Sequence, residues 1–155
     1  MFRKSLLFVA LLTAALTAYA QSPAPATAAV PQPTPEQQRQ NQQMEQAALQ
    51  VAQMVDQNQV TQLWDGSSSV IKQIISRDAF VRGVDTDRKT AGSPTTRHLA
   101  LLTYSQSDGR TLPPGLFANV AFATRFTNEK QPVRELISFH LDNDHVWRVT
   151  GYSLR

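Results

Sequence analysis

The sequence has no cysteine. Thiolate metal sites are therefore excluded, and an oxidising compartment finds no thiol to act on. Glycine is scarce, at 6 of 155 residues, and no glycine-rich phosphate loop is present. The 3 histidines show no His-x-x-x-His spacing, and carboxylates cluster only at Asp142 and Asp144 in one turn. No metal and no cofactor is expected from that set. Long apolar runs are confined to the N-terminus, and nothing beyond residue 20 is apolar enough to span a bilayer. An excess of one charge is also missing. The 15 Lys and Arg stand against 12 Asp and Glu. Without Arg3 and Lys4 the balance is 13 against 12, a net charge of +1. Beyond residue 20 the only adjacent basic pair is Arg88-Lys89. Such a chain lacks the electrostatic footprint of a nucleic-acid binder and is poorly suited to acidic membrane surfaces.

What is present begins with an address. Arg3 and Lys4 precede an uncharged apolar run from Leu6 to Ala18, and Ala18-Tyr19-Ala20 places small residues where a signal peptidase reads. This is the three-part pattern of a secretory signal peptide, with cleavage expected after Ala20. With no cysteine after the run, a lipid-anchored lipoprotein is excluded, and a periplasmic or secreted location is expected. Residues 21–35, QSPAPATAAVPQPTP, hold five prolines and no charge. They read as an extended, semi-stiff spacer. The remaining residues, 36–155, are the size of one domain.

The period of the pattern then changes once. Thr34, Pro35 and Gln37 form a helix start with a cap and a capping box. A helix is expected over 36–56, with Met44, Ala47, Ala48, Val51, Met54 and Val55 on one face and a glutamine-rich, solvated first half. A short helix over 59–65 and another over 67–76 follow, with Ser67-Ser68-Ser69 as a cap region. A further stretch starts at Ser76, with Phe80, Val81 and Val84 as its apolar face. Ala91-Gly92-Ser93-Pro94 ends the helical half. Strands are expected at 97–104, 116–126, 133–141 and 145–154. In the second, Ala118, Val120, Phe122, Thr124 and Phe126 share a face, and Asn119, Ala121, Ala123 and Arg125 share the other. Asp142-Asn143-Asp144 is a tight turn, since Asn and Asp tolerate the left-handed conformation. Helices grouped before strands predict an α+β fold, with N-terminal helices packed on a four-stranded antiparallel meander.

Several stretches resemble a bacterial envelope family, domain-of-unknown-function family 4019. They are Met-Val-Asp56-Gln-Asn-Gln-Val-Thr-Gln-Leu-Trp64-Asp, Ser76-Arg77-Asp78-Ala79-Phe80, Arg97, Leu112-Pro113-Pro114-Gly115, Thr124-Arg125-Phe126-Thr127-Asn128, Glu135 and the closing Trp147-Arg148-Val149-Thr150-Gly151-Tyr152. The likeness runs over residues 46–155. It implies a layout similar to the cystatin-like and nuclear-transport-factor-2-like α+β cone, and it implies no activity. One departure stands out. The family's last hairpin carries Asp-Gly before the Trp, where this chain has Asp144-His145.

Cone folds often hold a pocket between sheet and helices, so His98, His140, Arg125, Glu135, Tyr104 and Asp56 are the residues to consider for chemistry. Each has a plainer role. His98 and His140 are expected on the solvent side, His145 in a turn, and Asp56 as a cap for the next helix. Arg125 and Glu135 alternate onto different faces and would pair only across a bulge. An enzyme is not expected. Phe80, Val120, Phe122, Ile137, Phe139 and Trp147 would line a ligand cavity if one existed, and otherwise form the core. The expectation is a non-enzymatic protein-interaction module: an adaptor, an inhibitor or immunity-type protein, or an accessory subunit of an envelope assembly. Its protein partner would meet a polar sheet face bearing Asn119, Arg125, Arg134, Ser138 and His140.

Overall fold

The computed structural model describes residues 32–155. The expected signal peptide and residues 21–31 of the spacer lie outside them. Pro33–Arg155 forms a compact unit of its own. It contains α1 (Pro35–Asp56), α2 (Val60–Asp65), α3 (Ser69–Ile74) and α4 (Arg77–Ala91), then β1 (Pro94–Ser107), β2 (Gly115–Phe126), β3 (Val133–Leu141) and β4 (Trp147–Leu154). The strands pair in the order β1-β2-β3-β4, all antiparallel. The fold is the α+β meander that the pattern predicts.

Local chemistry explains the boundaries. The Thr34 side chain accepts from the Gln37 N–H (3.2 Å), and the Gln37 side chain returns a bond to the Thr34 N–H (2.8 Å). Two of the helix's orphan donors are thus satisfied, with Pro35 at the first position. The glutamine-rich first turns of α1 are exposed, and burial begins at Met44. Ser68 caps α3 through the Val70 N–H, and Ser76 caps α4 through the Ala79 N–H. Strand β1 is longer at both ends than residues 97–104, because it keeps its pairing with β2 from Phe126 to Gly115.

The turn after β3 differs from expectation. Asp142 C=O accepts from the His145 N–H at 2.8 Å, and the left-handed residue is His145 (φ 63°), not Asn143 or Asp144. His145 therefore holds a conformation that glycine takes without steric cost.

One face of the sheet, the inner one, is covered by the helices. Met44, Ala48, Val51 and Val55 of α1, Leu63 and Trp64 of α2, and Phe80 and Val84 of α4 pack on Val120, Phe122, Ile137, Phe139, Val149 and Tyr152. Ala48 and Ala118 are fully buried, and their small side chains let α1 approach β2 closely. Tyr104 of β1 and Trp147 of β4 bring their ring centroids to 6.1 Å, closing one end of this face. The residues that would have lined a ligand cavity are core, with Trp147 packed against its edge.

Candidate functional site

The inner face carries one polar cluster, assembled from six elements. Glu135 of β3 has no solvent exposure. Its Oε2 accepts from Arg97 Nε (2.5 Å) and Thr124 Oγ1 (2.7 Å), and its Oε1 accepts from Tyr152 (2.8 Å) and Arg97 Nη2 (3.1 Å). The other guanidinium nitrogen of Arg97 reaches Asp56, at the end of α1, at 3.2 Å. Arg88 of α4 pairs with Asp56 at 2.9 Å, lies 3.7 Å from Glu135 and stacks over Phe126 at 4.8 Å. Two cations thus face two carboxylates, so the buried charge is neutral as a group. Burial alone would lower the Arg97 pKa. The hydrogen bonds and charges of Glu135 and Asp56 outweigh it and hold the guanidinium above its ordinary value. Burial, reinforced by the Glu135 charge, pushes the Tyr152 phenol up. Every buried side-chain N and O among the described residues has a partner. The charged groups of the cluster are thus engaged with one another. Its geometry suits a strut that ties α1 and α4 to all four strands.

One expectation changes here, and the alternation of Arg125 and Glu135 onto different faces holds. Asp56 does not cap the next helix, since α2 has no side-chain cap at Gln59. Glu135 pairs with Arg97, not Arg125: Arg97 sits opposite Thr124 on the inner face, whereas Arg125 points outward. Arg88, Arg97, Thr124 and Tyr152 were not among the residues that the sequence put forward for chemistry. The available signal was parity, because Glu135 shares the face of Ile137 and Phe139.

Beside the strut lies a surface cleft of about 430 Å³, lined by Asp56, Asn58, Thr61, Asp85, Arg88 and Lys89 among others. Its four charges also cancel. No group of three His, Asp or Glu suited to a metal occurs among the described residues. At the Ser-x-x-Lys spacing of Ser69 and Lys72, the lysine donates to the Asp65 carbonyl (2.8 Å).

A second polar cluster pins the β3–β4 hairpin to the helices. Ser68 donates to Asp142 Oδ1 (2.5 Å), and His140 Nδ1 lies 2.8 Å from the same oxygen. Arg148 reaches Asp142 Oδ2 at 3.1 Å and Asp144 at 2.8 Å. Burial would raise the Asp142 carboxyl, yet the bonds from Ser68, His140 and Arg148 prevail and hold it below its ordinary value. Arg148 holds the exposed Asp144 down to about 2. Ser68 and His140 thus share one oxygen of Asp142, and no hydrogen bond joins them directly among the described residues.

This cluster corrects the placement of His140. It is buried (6% exposed), not solvent-side, although it does lie on the outer face. The Pro113-Pro114-Gly115 bend folds over it, with His140 Nε2 3.3 Å from the Pro114 carbonyl and Phe117 edge-on at 4.9 Å. The other predicted face residues separate. Asn119 accepts from Ser138 (2.7 Å) at mid-sheet. Arg125 and Arg134 are exposed at the far end, where Ala123 stands opposite both Arg134 and the exposed His98. The outward positions between them are small and apolar: a shallow groove of about 250 Å³ runs along Leu101, Ala121, Ala123, Pro132 and Val133 to Arg134.

The chain belongs to the family described as "Protein of unknown function (DUF4019)", whose model matches residues 47–152. The match spans the strut, the pin and both sheet faces. No curated protein and no solved structure matches the chain.

Proposed function

We propose that this protein is a non-enzymatic interaction module of the cell envelope, exported by its N-terminal signal, which binds a protein partner through the outer face of its sheet. One observation carries the reading. The helices pack on the inner face, while the outer face keeps a half-apolar surface with Leu101 52% exposed. Uncovered apolar surface of this kind marks contact sites more often than chemistry. The saturation of both polar clusters supports the same reading, since neither leaves a base or nucleophile free. An adaptor, an inhibitor or immunity-type protein, or an accessory subunit would each use such a face.

The test is a crosslinking pull-down from native envelope with the secreted chain as bait, run beside Leu101→Asp and Asn119→Arg baits. One stoichiometric partner, lost with either substitution, is expected. Absence of any partner would end the reading. It would move attention to the cleft beside Arg88, whose volume is in the range of small-molecule sites, and to native mass spectrometry for a bound ligand.

A further inference from the structure

Acids are distributed unevenly between the two faces of the sheet. Glu135 is the only Asp or Glu in the four strands, and it is on the inner face inside the strut. The outer face therefore carries no strand carboxylate, yet it bears Arg125, Arg134 and Arg148, with His98 beside them. Arg148 is spent on Asp142 and Asp144 at the hairpin end. Arg125 and Arg134 form no ion pair among the described residues. Nearby acids turn elsewhere: Glu129 and Asp87 line a cleft on the α4 side of β3. Thus a chain with nearly balanced charge gathers two unmatched guanidinium groups at one end of its uncovered face. The apolar groove along Leu101, Ala121 and Val133 leads directly to Arg134.

Resting on the interaction reading, we infer that this end of the outer face takes an acidic segment of a partner protein carrying an apolar anchor. The anchor seats in the groove over Ala121, where only a methyl group stands between Leu101 and the β3 side. Carboxylates beyond it, on the Ala123 side, meet Arg134 and Arg125, whose planar forks match a carboxylate in two-point fashion. The apolar component favours a protein segment over a lipid headgroup, since the groove admits one side chain and the charge is confined to two residues. Exposed pairs of this sort act chiefly on specificity and association rate, and they weaken with salt.

The probe is a fluorescein-labelled dodecapeptide of alternating Glu and Leu, titrated with the chain by anisotropy. A Lys–Leu peptide and phosphatidylglycerol vesicles are run in parallel. The Glu–Leu peptide is expected to bind, to weaken with added NaCl, and to lose about tenfold in affinity in the Arg125→Glu/Arg134→Glu double variant. Both positions are exposed strand sites, so the variant's thermal midpoint should match the parent's. Equal binding of the Lys–Leu peptide, no effect of the double variant, or no Glu–Leu binding at about 1 mM would overturn the inference. So would vesicle binding through the same arginines without peptide binding, which would assign the site to a lipid surface. The envelope pull-down separates the two claims. A partner still captured by the double variant sinks this inference and leaves the interaction reading standing.

Discussion

Arg97 of β1 and Glu135 of β3 are bonded to each other across the intervening strand. Arg97 stands opposite Thr124 of β2, and Glu135 stands opposite Phe122 of the same strand. The short Thr124 side chain leaves room for the guanidinium to pass over β2, and its hydroxyl adds a bond to the same carboxylate. The pair therefore clamps three strands with side chains, and Asp56 and Arg88 extend the clamp to the helices.

Removing one partner should cost more than the pair itself contributes. Glu135→Leu leaves Arg97 and Arg88 facing Asp56 alone in a largely buried setting. Loss of one member of a buried pair costs about 3–5 kcal/mol. Replacing Glu135 and Arg97 together by Leu and Met should cost less than the sum of the single changes. Urea unfolding of the two single variants and the double variant checks this. Additive losses would show that the two residues do not act as a unit.

The fold was legible because the hydrophobic period switches once, from three-and-four spacing before Gly92 to alternation after it. The caps at Thr34 and within Ser67-Ser68-Ser69 were legible from local residue types. The strut was not, because its members lie up to 96 positions apart, from Asp56 to Tyr152, and no local pattern links them. Glu135 could have been read as inward by parity with Ile137 and Phe139. His140 was misplaced by the same rule. Alternation assigns a face correctly, but it cannot see that the Pro113-Pro114-Gly115 bend covers that face at one end.

That bend makes a prediction at Gly115. Its φ is 135°, a conformation that L side chains rarely adopt, and an added Cβ would collide with His140 Nε2. Gly115→Ala should lower stability by more than about 1 kcal/mol, the size of the entropic gain such changes give at permissive sites. In Gly115→Ala/His140→Ala the steric part should shrink while the backbone part remains. Thermal midpoints of the three variants separate the two components.

Acid should loosen the hairpin pin first. The Asp142 carboxyl is held below its ordinary value of 3.8 in the folded chain, so the unfolded chain binds more protons across that window. Stability from this group is complete above the ordinary value and is lost as pH falls through the folded one. Denaturant midpoints should therefore decline below about pH 4. Asp142→Asn should be less stable at neutral pH and show a flatter acid limb. A parent and a variant with parallel acid limbs would remove Asp142 from the account.

Alkali should act at Tyr152. Its phenol, buried and facing Glu135, is held above the ordinary value of 10.0. The unfolded chain loses this proton first as pH rises. The associated stability is present below the ordinary value and is lost progressively above it. Tyr152→Phe removes the bond to Glu135 Oε1 at a cost of about 1.5–3 kcal/mol, the range for bonds to charged groups. The same change should abolish this residue's share of the alkaline loss, so the two stability curves should converge above about pH 10. Tyrosinate difference spectra give an independent reading. One tyrosine of the parent should ionise only as the chain unfolds, and that late step should be missing from the Tyr152→Phe variant. If the late step persists, the strut does not hold the phenol protonated.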